Sequence, residues 1–350
     1  MKNLVFGIAL SFLSVIAINS ASAQAEEAGE LEETLSQVGS EYARLYLDPL
    51  SNGFGANMNS GWFHSARVGS GRKVGLSVYA GFAVFGTLVR SSDQVFDLTY
   101  TANVSVPVDV GSEQITVSLP ADFSVQNAPT VLGDDNPATA MARVRVDTTF
   151  DYLGVAIPVS FDSTFSIETV GGLAKIPVLP SAVPQIGIGG ILGTEVLVRY
   201  FPSVTVTELG SVKLAGVGVR HSLSRYIPSS PVDIAVLLSW QHFALDGVND
   251  IRLVELRTFA ANLHVSASLG ILTFYGAVQS ERSDIDVAYL FEGNELETDI
   301  DPFVIAYSVR GSNTARAVAG LSLRAGPLRM STDVGFGQVT VVSLGFGFGF

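Results

Sequence analysis

Two residues apart on one candidate strand, His264 and Ser266 share a face, and a histidine beside a serine is the minimum for nucleophilic hydrolysis. Turned outward near a membrane interface, the pair could attack a lipid ester. No third residue in the sequence is placed to orient the histidine, and any alternating strand of this composition would carry such a pair. His221 with Ser222 or Ser224 offers no more. Four histidines and no cysteine leave no ligand spacing for a metal. Asp246-Gly247-Val248-Asn249-Asp250 opens like a calcium loop but lacks the later bidentate glutamate, so it reads as a solvated turn. Gly69-Ser70-Gly71-Arg72-Lys73 is a glycine turn outside any phosphate-loop context, and the acidic run Glu292 to Asp301 reads as a solvated loop. The chemistry-bearing residues therefore predict no enzyme, no cofactor and no metal.

The remaining charges are more informative. Arg143, Arg145, Asp147 and Asp151, with Glu195 and Arg199, fall at alternate positions of candidate strands. If those strands cross a membrane, the charges face inward, because a charge facing lipid is costly. Their plainer role is a salt-bridge network holding something inside the barrel; the functional one is the polar wall of a conduit.

The elements that position them follow from composition. Of 350 residues, 15% are charged and 47% hydrophobic, with 35 glycines. A soluble domain this apolar would show buried helices, whereas the longest uncharged stretch, Val178 to Thr194, is broken by Pro180, Pro184 and glycines. The net charge of -13 argues against nucleic-acid partners. Period-two alternation is plain instead. Val74, Leu76, Val78, Ala80, Phe82 and Val84 alternate with small or polar residues, and so do Phe96, Leu98, Tyr100, Ala102, Val104 and Val106. Each run is about the ten residues that a tilted membrane strand needs. Val196, Val198 and Tyr200 alternate with Glu195, Leu197 and Arg199 in the same way, and further runs begin at Ile234, Phe259 and Phe303. Leu269-Gly270, Gly311-Ser312-Asn313 and Ala325-Gly326-Pro327 read as turns between strands.

Both ends carry addresses. Lys2, the apolar stretch Leu4 to Ile18 and Ala21-Ser22-Ala23 predict a signal peptide over residues 1–23, cleaved after Ala23. At the other end Thr340, Val342, Leu344, Phe346, Phe348 and Phe350 share one face, and an amphipathic last strand ending in phenylalanine resembles the signal read by the barrel-assembly machinery. Counting back from a periplasmic Phe350 gives ten strands after the proline-rich Ile176 to Gln185, which then falls on the periplasmic side. About four more precede it between Lys73 and Leu153. The expectation is an all-β, antiparallel transmembrane barrel of about 14 strands (12–16) over residues 73–350, in the outer membrane of a Gram-negative-type bacterium. Residues 154–172 fit either another hairpin or an inserted loop.

Residues 24–72 read differently. Leu31, Leu35, Val38, Tyr42 and Leu45 recur at helical spacing, predicting an amphipathic helix over Glu30 to Leu47 that stops before Pro49. Beyond it Asn52, Asn57, Asn59, Trp62, His64 and Arg67 stand in a glycine- and asparagine-rich run with no strand alternation, suited to a compact segment folded into the lumen.

The stretch Pro49 to Arg67, with Asn-Gly-Phe-Gly and Asn-Ser-Gly-Trp, the Gly311-Ser312-Asn313 turn and the glycine-phenylalanine C-terminus together resemble an uncharacterised family of bacterial outer-membrane barrels of unknown function. That family is similar in layout to the long-chain fatty-acid transporter barrels, whose N-terminal segment forms a lumenal hatch. The resemblance implies a plugged channel or transporter for small hydrophobic or amphipathic solutes, with membrane lipid and the assembly machinery as its partners. A structural or secretion-associated barrel without transport is the alternative.

Overall fold

A computed structural model describes residues 25–69, 76–110, 113–152, 155–172, 175–206, 210–227, 229–247, 251–291 and 303–350. The predicted signal peptide and the acidic run Glu292 to Asp301 lie outside the described residues. Among the described residues a long helix, α1 (Ala25–Met58), precedes fifteen strands: β1 (Ser77–Leu88), β2 (Val95–Val110), β3 (Glu113–Pro129), β4 (Thr139–Tyr152), β5 (Val155–Glu168), β6 (Val178–Ile191), β7 (Thr194–Val206), β8 (Gly210–Ser222), β9 (Asp233–Asp246), β10 (Arg252–Leu269), β11 (Leu272–Phe291), β12 (Phe303–Arg310), β13 (Ala315–Ala325), β14 (Leu328–Phe336) and β15 (Val341–Gly349). The chain divides into two units, one of residues 1–49, 90–176 and 289–307, the other of residues 50–89, 177–288 and 308–350. Among the described residues, no helix is long and apolar enough to cross a membrane.

The second unit is the barrel. Its strands run β10-β9-β8-β7-β6-β1-β15-β14-β13-β11, and β11 pairs back onto β10, so ten described strands close on themselves; β12 extends the sheet beside β11. The described barrel pairs are antiparallel. Closure removes the sheet edges, and an even count is what a bacterial barrel requires. The alternation in β1, β7 and β15 is realised here. Val78, Phe82 and Val84, Val196, Val198 and Tyr200, and Leu344, Phe346, Phe348 and Phe350 are exposed on the outside. Ala83 and Phe85, Leu197 and Arg199, and Ser343 are buried inside. Connections at the Phe350 rim are tight, with positive φ at Leu192, Gly193, Gly270 and Gly326.

The other unit corrects the strand count. β2, β3, β4 and β5 form a separate four-stranded antiparallel sheet and do not enter the barrel. Leu98 and Ala102 on β2, Ala121, Phe123 and Val125 on β3, and Ala140, Ala142 and Val144 on β4 are buried, and the residues between them are exposed or half-buried. Part of α1 packs in the same unit: Tyr42 meets Phe96 edge-to-face at 5.2 Å, and the Tyr46 hydroxyl donates to Gly171 O at 3.0 Å. Alternation reports only that one face is apolar. A helix can cover that face as well as lipid can. Residues 155–168 become β5, the last strand of this sheet, which settles the hairpin-or-loop alternative for that part of the segment. Lys175, 3.0 Å from Asp134, holds that carboxyl down at about 2.

Two further expectations fail for identifiable reasons. The helix does not stop before Pro49; it runs on to Met58 with the proline inside it. Proline removes one backbone donor, and the turns beyond it are held by the barrel wall, as described below. The proline-rich Ile176 to Gln185 is no periplasmic connection. It is largely the first half of β6, and Val178 pairs with Leu88 at the rim opposite Phe350.

β6 explains how prolines enter a barrel wall. The Val89 amide donates to Pro177 O, so odd-numbered residues of β6 point their backbone groups at β1 and even-numbered ones point toward β7. The β6–β7 ladder runs only from Ile191↔Thr194 to Gln185↔Arg199. Continued in register, the next hydrogen-bonded pairs would be Pro184 with Tyr200 and Ala182 with Pro202. Each contains a proline, which cannot donate. Beyond Arg199, β7 pairs with β8 alone, through a bulge between Phe201 and Val204. Residues 201–205 are exposed on both faces. The wall therefore carries an unzipped seam between β6 and β7, written into it by Pro180, Pro184 and Pro202.

Candidate functional site

The interior of the barrel is occupied by its own chain. Asn52 Oδ1 accepts from the Ser312 amide and the Thr87 hydroxyl donates to Gly53 O, both near the rim where β1 ends. At the opposite rim Arg67 Nε lies 3.1 Å from Asp233, the first residue of β9. Residues 50–67 thus cross from one rim to the other, and Ala56, Asn57, Met58, Trp62 and Ala66 are each at most 2% exposed.

Small residues make the fit possible. A Cβ on Gly55 would sit 2.5 Å from Ser283 Oγ, and one on Gly218 of β8 would press on the Trp62 ring at 3.0 Å. Gly61 has φ +65°, and its Cβ would meet Phe85 Cε1 at 2.4 Å. Gly61→Ala should therefore cost about 1–3 kcal/mol through both backbone strain and overpacking, read as a lower urea midpoint for the refolded protein in detergent.

Charge holds the segment. The last turn of α1 leaves carbonyls without helical partners, and that end of the helix is partially negative. The helix supplies no basic residue there. Two arginines of the wall do so instead: Arg316 donates to Ala56 O at 3.0 Å, and Arg199 donates to Met58 O at 3.0 Å and to Ser60 O at 2.7 Å. Arg199 also donates to Gln185 Oε1 at 2.9 Å, and its guanidinium lies 3.9 Å from the centroid of Trp62. Arg316 is paired with Glu281 at 2.7 Å and reaches the Ser60 hydroxyl. Nearer the Phe350 rim, Arg220 is paired with Glu195 and donates to Ser65 O. Three buried arginines therefore grip successive carbonyls along the segment.

The asparagines are structural in the same sense. Asn57 donates to Leu179 O at 2.9 Å and to Ser181 Oγ at 3.0 Å, and accepts from Thr87 at 2.7 Å. Asn59 donates to Arg282 O, and its carbonyl accepts from Gln279. His64 is half-buried beside Tyr79, with ring centroids 5.3 Å apart.

Of the candidates named from sequence, Asn52, Asn57, Asn59, Trp62, His64, Glu195 and Arg199 come together in this interior, and Arg67 stands exposed at its rim. Arg143 and Arg145 do not. They lie exposed on β4 in the other unit, where Arg143 pairs with Asp162 at 2.8 Å. The inward placement expected of Arg143 and Arg145 is thereby overturned, while that of Glu195 and Arg199 stands. Phe346, Phe348 and Phe350 sit outside, on the last wall strand and at its end. His264 and Ser266 face inward, not outward: His264 stacks on Phe63 at 4.4 Å and contacts Asn262, and Ser266 accepts from the Ala66 amide at 2.9 Å. The two are not hydrogen-bonded as base and nucleophile. Sequence reasoning missed Arg220, Arg316 and Glu281, although each stands at the inward parity of its strand beside glycine, alanine or serine. Among the described residues, no group of three or more His, Asp or Glu could hold a metal.

The model of a family of unknown function, DUF6588, matches residues 1–350. No curated protein matches the chain. Among solved structures, the β-domain of the Bordetella autotransporter BrkA is similar at 8% identity and TM-score 0.29, covering 78% of this chain and 100% of that one. Pseudomonas aeruginosa OpdO is similar at 12% identity and TM-score 0.22, covering 79% and 96%. A porin refined at 1.8 Å resolution is similar at 12% identity and TM-score 0.21, covering 79% and 100%.

Proposed function

The chain belongs to DUF6588, a family of unknown function, and from its own geometry we propose an outer-membrane barrel that passes a small hydrophobic or amphipathic solute through its side wall. Residues 50–68 act as the plug of the lumen in this reading, and the β6–β7 seam is the lateral route. The seam is the observation that carries it. A closed barrel gains by pairing every strand, yet prolines remove the donors where β6 should meet β7, and exposed Tyr200 and Phe201 flank the place. The apolar outer band, which runs through the alternating strand β15, supports the membrane. The tight turns at Leu192-Gly193, Gly270 and Gly326 then mark the periplasmic rim, and the ends of β1, β9 and β11 mark the outer one.

The chain has no cysteine, so the seam can be locked cleanly. Ala182→Cys with Pro202→Cys, bridged by a short bismaleimide, should abolish entry of a fluorescent fatty acid into proteoliposomes; the single-cysteine variants, treated alike, should retain it. Equal entry through the locked barrel sinks the lateral route. The close packing around Gly55, Gly61 and Trp62 favours a second reading, a filled structural barrel without transport. That reading expects no entry in any variant.

A further inference from the structure

On the outer surface of β9, β10 and β11 the apolar band ends abruptly. Register places Trp240 level with Phe259 and Phe259 level with Arg282; one step further from the Phe350 rim stand His242, Arg257 and Asp284. On the Phe350 side of this line the outward residues are Leu238, Leu263, Val265, Phe274 and Val278, all well exposed. On and beyond it, Arg257, Arg282 and Arg310 line an open cleft of about 510 Å³ with Asp284, Asp286 and Ser308. Their side chains stay 51%, 56% and 64% exposed.

The acids do not neutralise this cluster. Asp284 is shared by Arg282 at 2.6 Å and Arg310 at 3.3 Å, Arg257 is shared by Asp286 and, at 3.9 Å, by Glu255, and Glu255 leads on through Arg252 to Asp246 and Lys213, so among the described residues five basic side chains meet four carboxylates. A charge on the lipid face costs several kcal/mol at mid-membrane but about 0–1 near the interface, so this line marks the headgroup level. Acyl chains at that point would lie on Phe259, Val278 and Leu263, with the headgroup against the cleft.

We infer that Arg257, Arg282 and Arg310 form a binding site for the phosphomonoester headgroup of a glycolipid in the outer leaflet. A phosphomonoester carries close to two charges and three acceptor oxygens, and guanidinium forks match that geometry, whereas a phosphodiester offers a single charge. The inference rests on the membrane reading above.

Trp240 is a local reporter, because the other tryptophan, Trp62, is buried inside the barrel. The protein is reconstituted in phosphatidylcholine bilayers doped with brominated diphosphoryl lipid A, its dephosphorylated form, or brominated phosphatidylglycerol. Diphosphoryl lipid A should quench Trp240 at the lowest mole fraction. Arg257→Ala/Arg282→Ala/Arg310→Ala should weaken that preference about tenfold or more, the worth of one charge-assisted hydrogen bond, while Arg324→Ala near the Phe350 rim should leave it unchanged. Equal quenching by all three lipids, phosphatidylglycerol matching lipid A, or a preference that survives the triple variant overturns the site. Should the triple alanine variant lose the heat-modifiable gel mobility of a folded barrel, Arg257→Gln/Arg310→Gln takes its place with the same expected loss. Failure of the unaltered protein to insert would instead overturn the membrane reading, and the site with it.

Discussion

Arg199→Ala should destabilise the barrel by about 4 kcal/mol, because it removes a donor from three buried acceptors at about 1–3 kcal/mol each, Met58 O keeping the Trp62 indole N–H at 3.3 Å, together with a desolvated cation–π contact worth about 2 kcal/mol, terms that overlap rather than add. Two of those acceptors, Met58 O and Ser60 O, are backbone carbonyls and cannot be mutated away. Arg199→Met therefore fails as well, although it fills the space and removes a buried charge. This site differs from an ion pair, where an apolar replacement of both partners is often neutral. Arg199→Lys keeps the charge but loses the fork that reaches Gln185, Met58 and Ser60 together, so it should recover less than half of the loss. The measurement is the urea midpoint of refolding into detergent, followed by heat-modifiable gel mobility. A shift under about 1 kcal/mol, the range of a surface change, would mean that the wall does not depend on the segment it encloses.

The second large effect is on conduction. Deleting residues 50–68 should turn a silent barrel into one with stepwise ionic current in planar bilayers. The wall's ladder from β1 to β15 is independent of the segment. What the deletion exposes is Arg199, Arg220, Arg316, Glu195 and Glu281, charges that water will solvate once the segment is gone. If the deletion does not insert, Trp62→Ala with Phe63→Ala opens the same interior more gently and should raise baseline leak. Unchanged silence in an inserted deletion variant would count against the plug and leave the filled-barrel reading standing.

The sequence by itself determined the kind of wall. Period-two alternation with apolar residues on one face and glycine, serine or a charge on the other is legible at Val196 to Tyr200 and at Val342 to Phe350, because side-chain direction in a strand depends only on parity. Parity likewise predicted that Glu195 and Arg199 face inward, and it would have found Arg220, Arg316 and Glu281 had it been applied to every charged position of a strand.

Tertiary structure alone decided what covers each apolar face. Phe96 to Val106 and Phe346 to Phe350 alternate alike, yet the first run belongs to the sheet of α1 and β2–β5 and the second to the barrel wall. Arg143 moved from the expected lumen to an exposed surface for that reason. Pro49 and Pro180 carried the opposite error: Pro49, taken as a stop, stands inside α1, and Pro180, placed in a connection, stands in β6 on the stretch where the ladder to β7 is missing. A local pattern records which groups want water and which bonds a residue can make. It does not record which distant segment arrives to satisfy them, and that arrival placed Arg199 over Trp62.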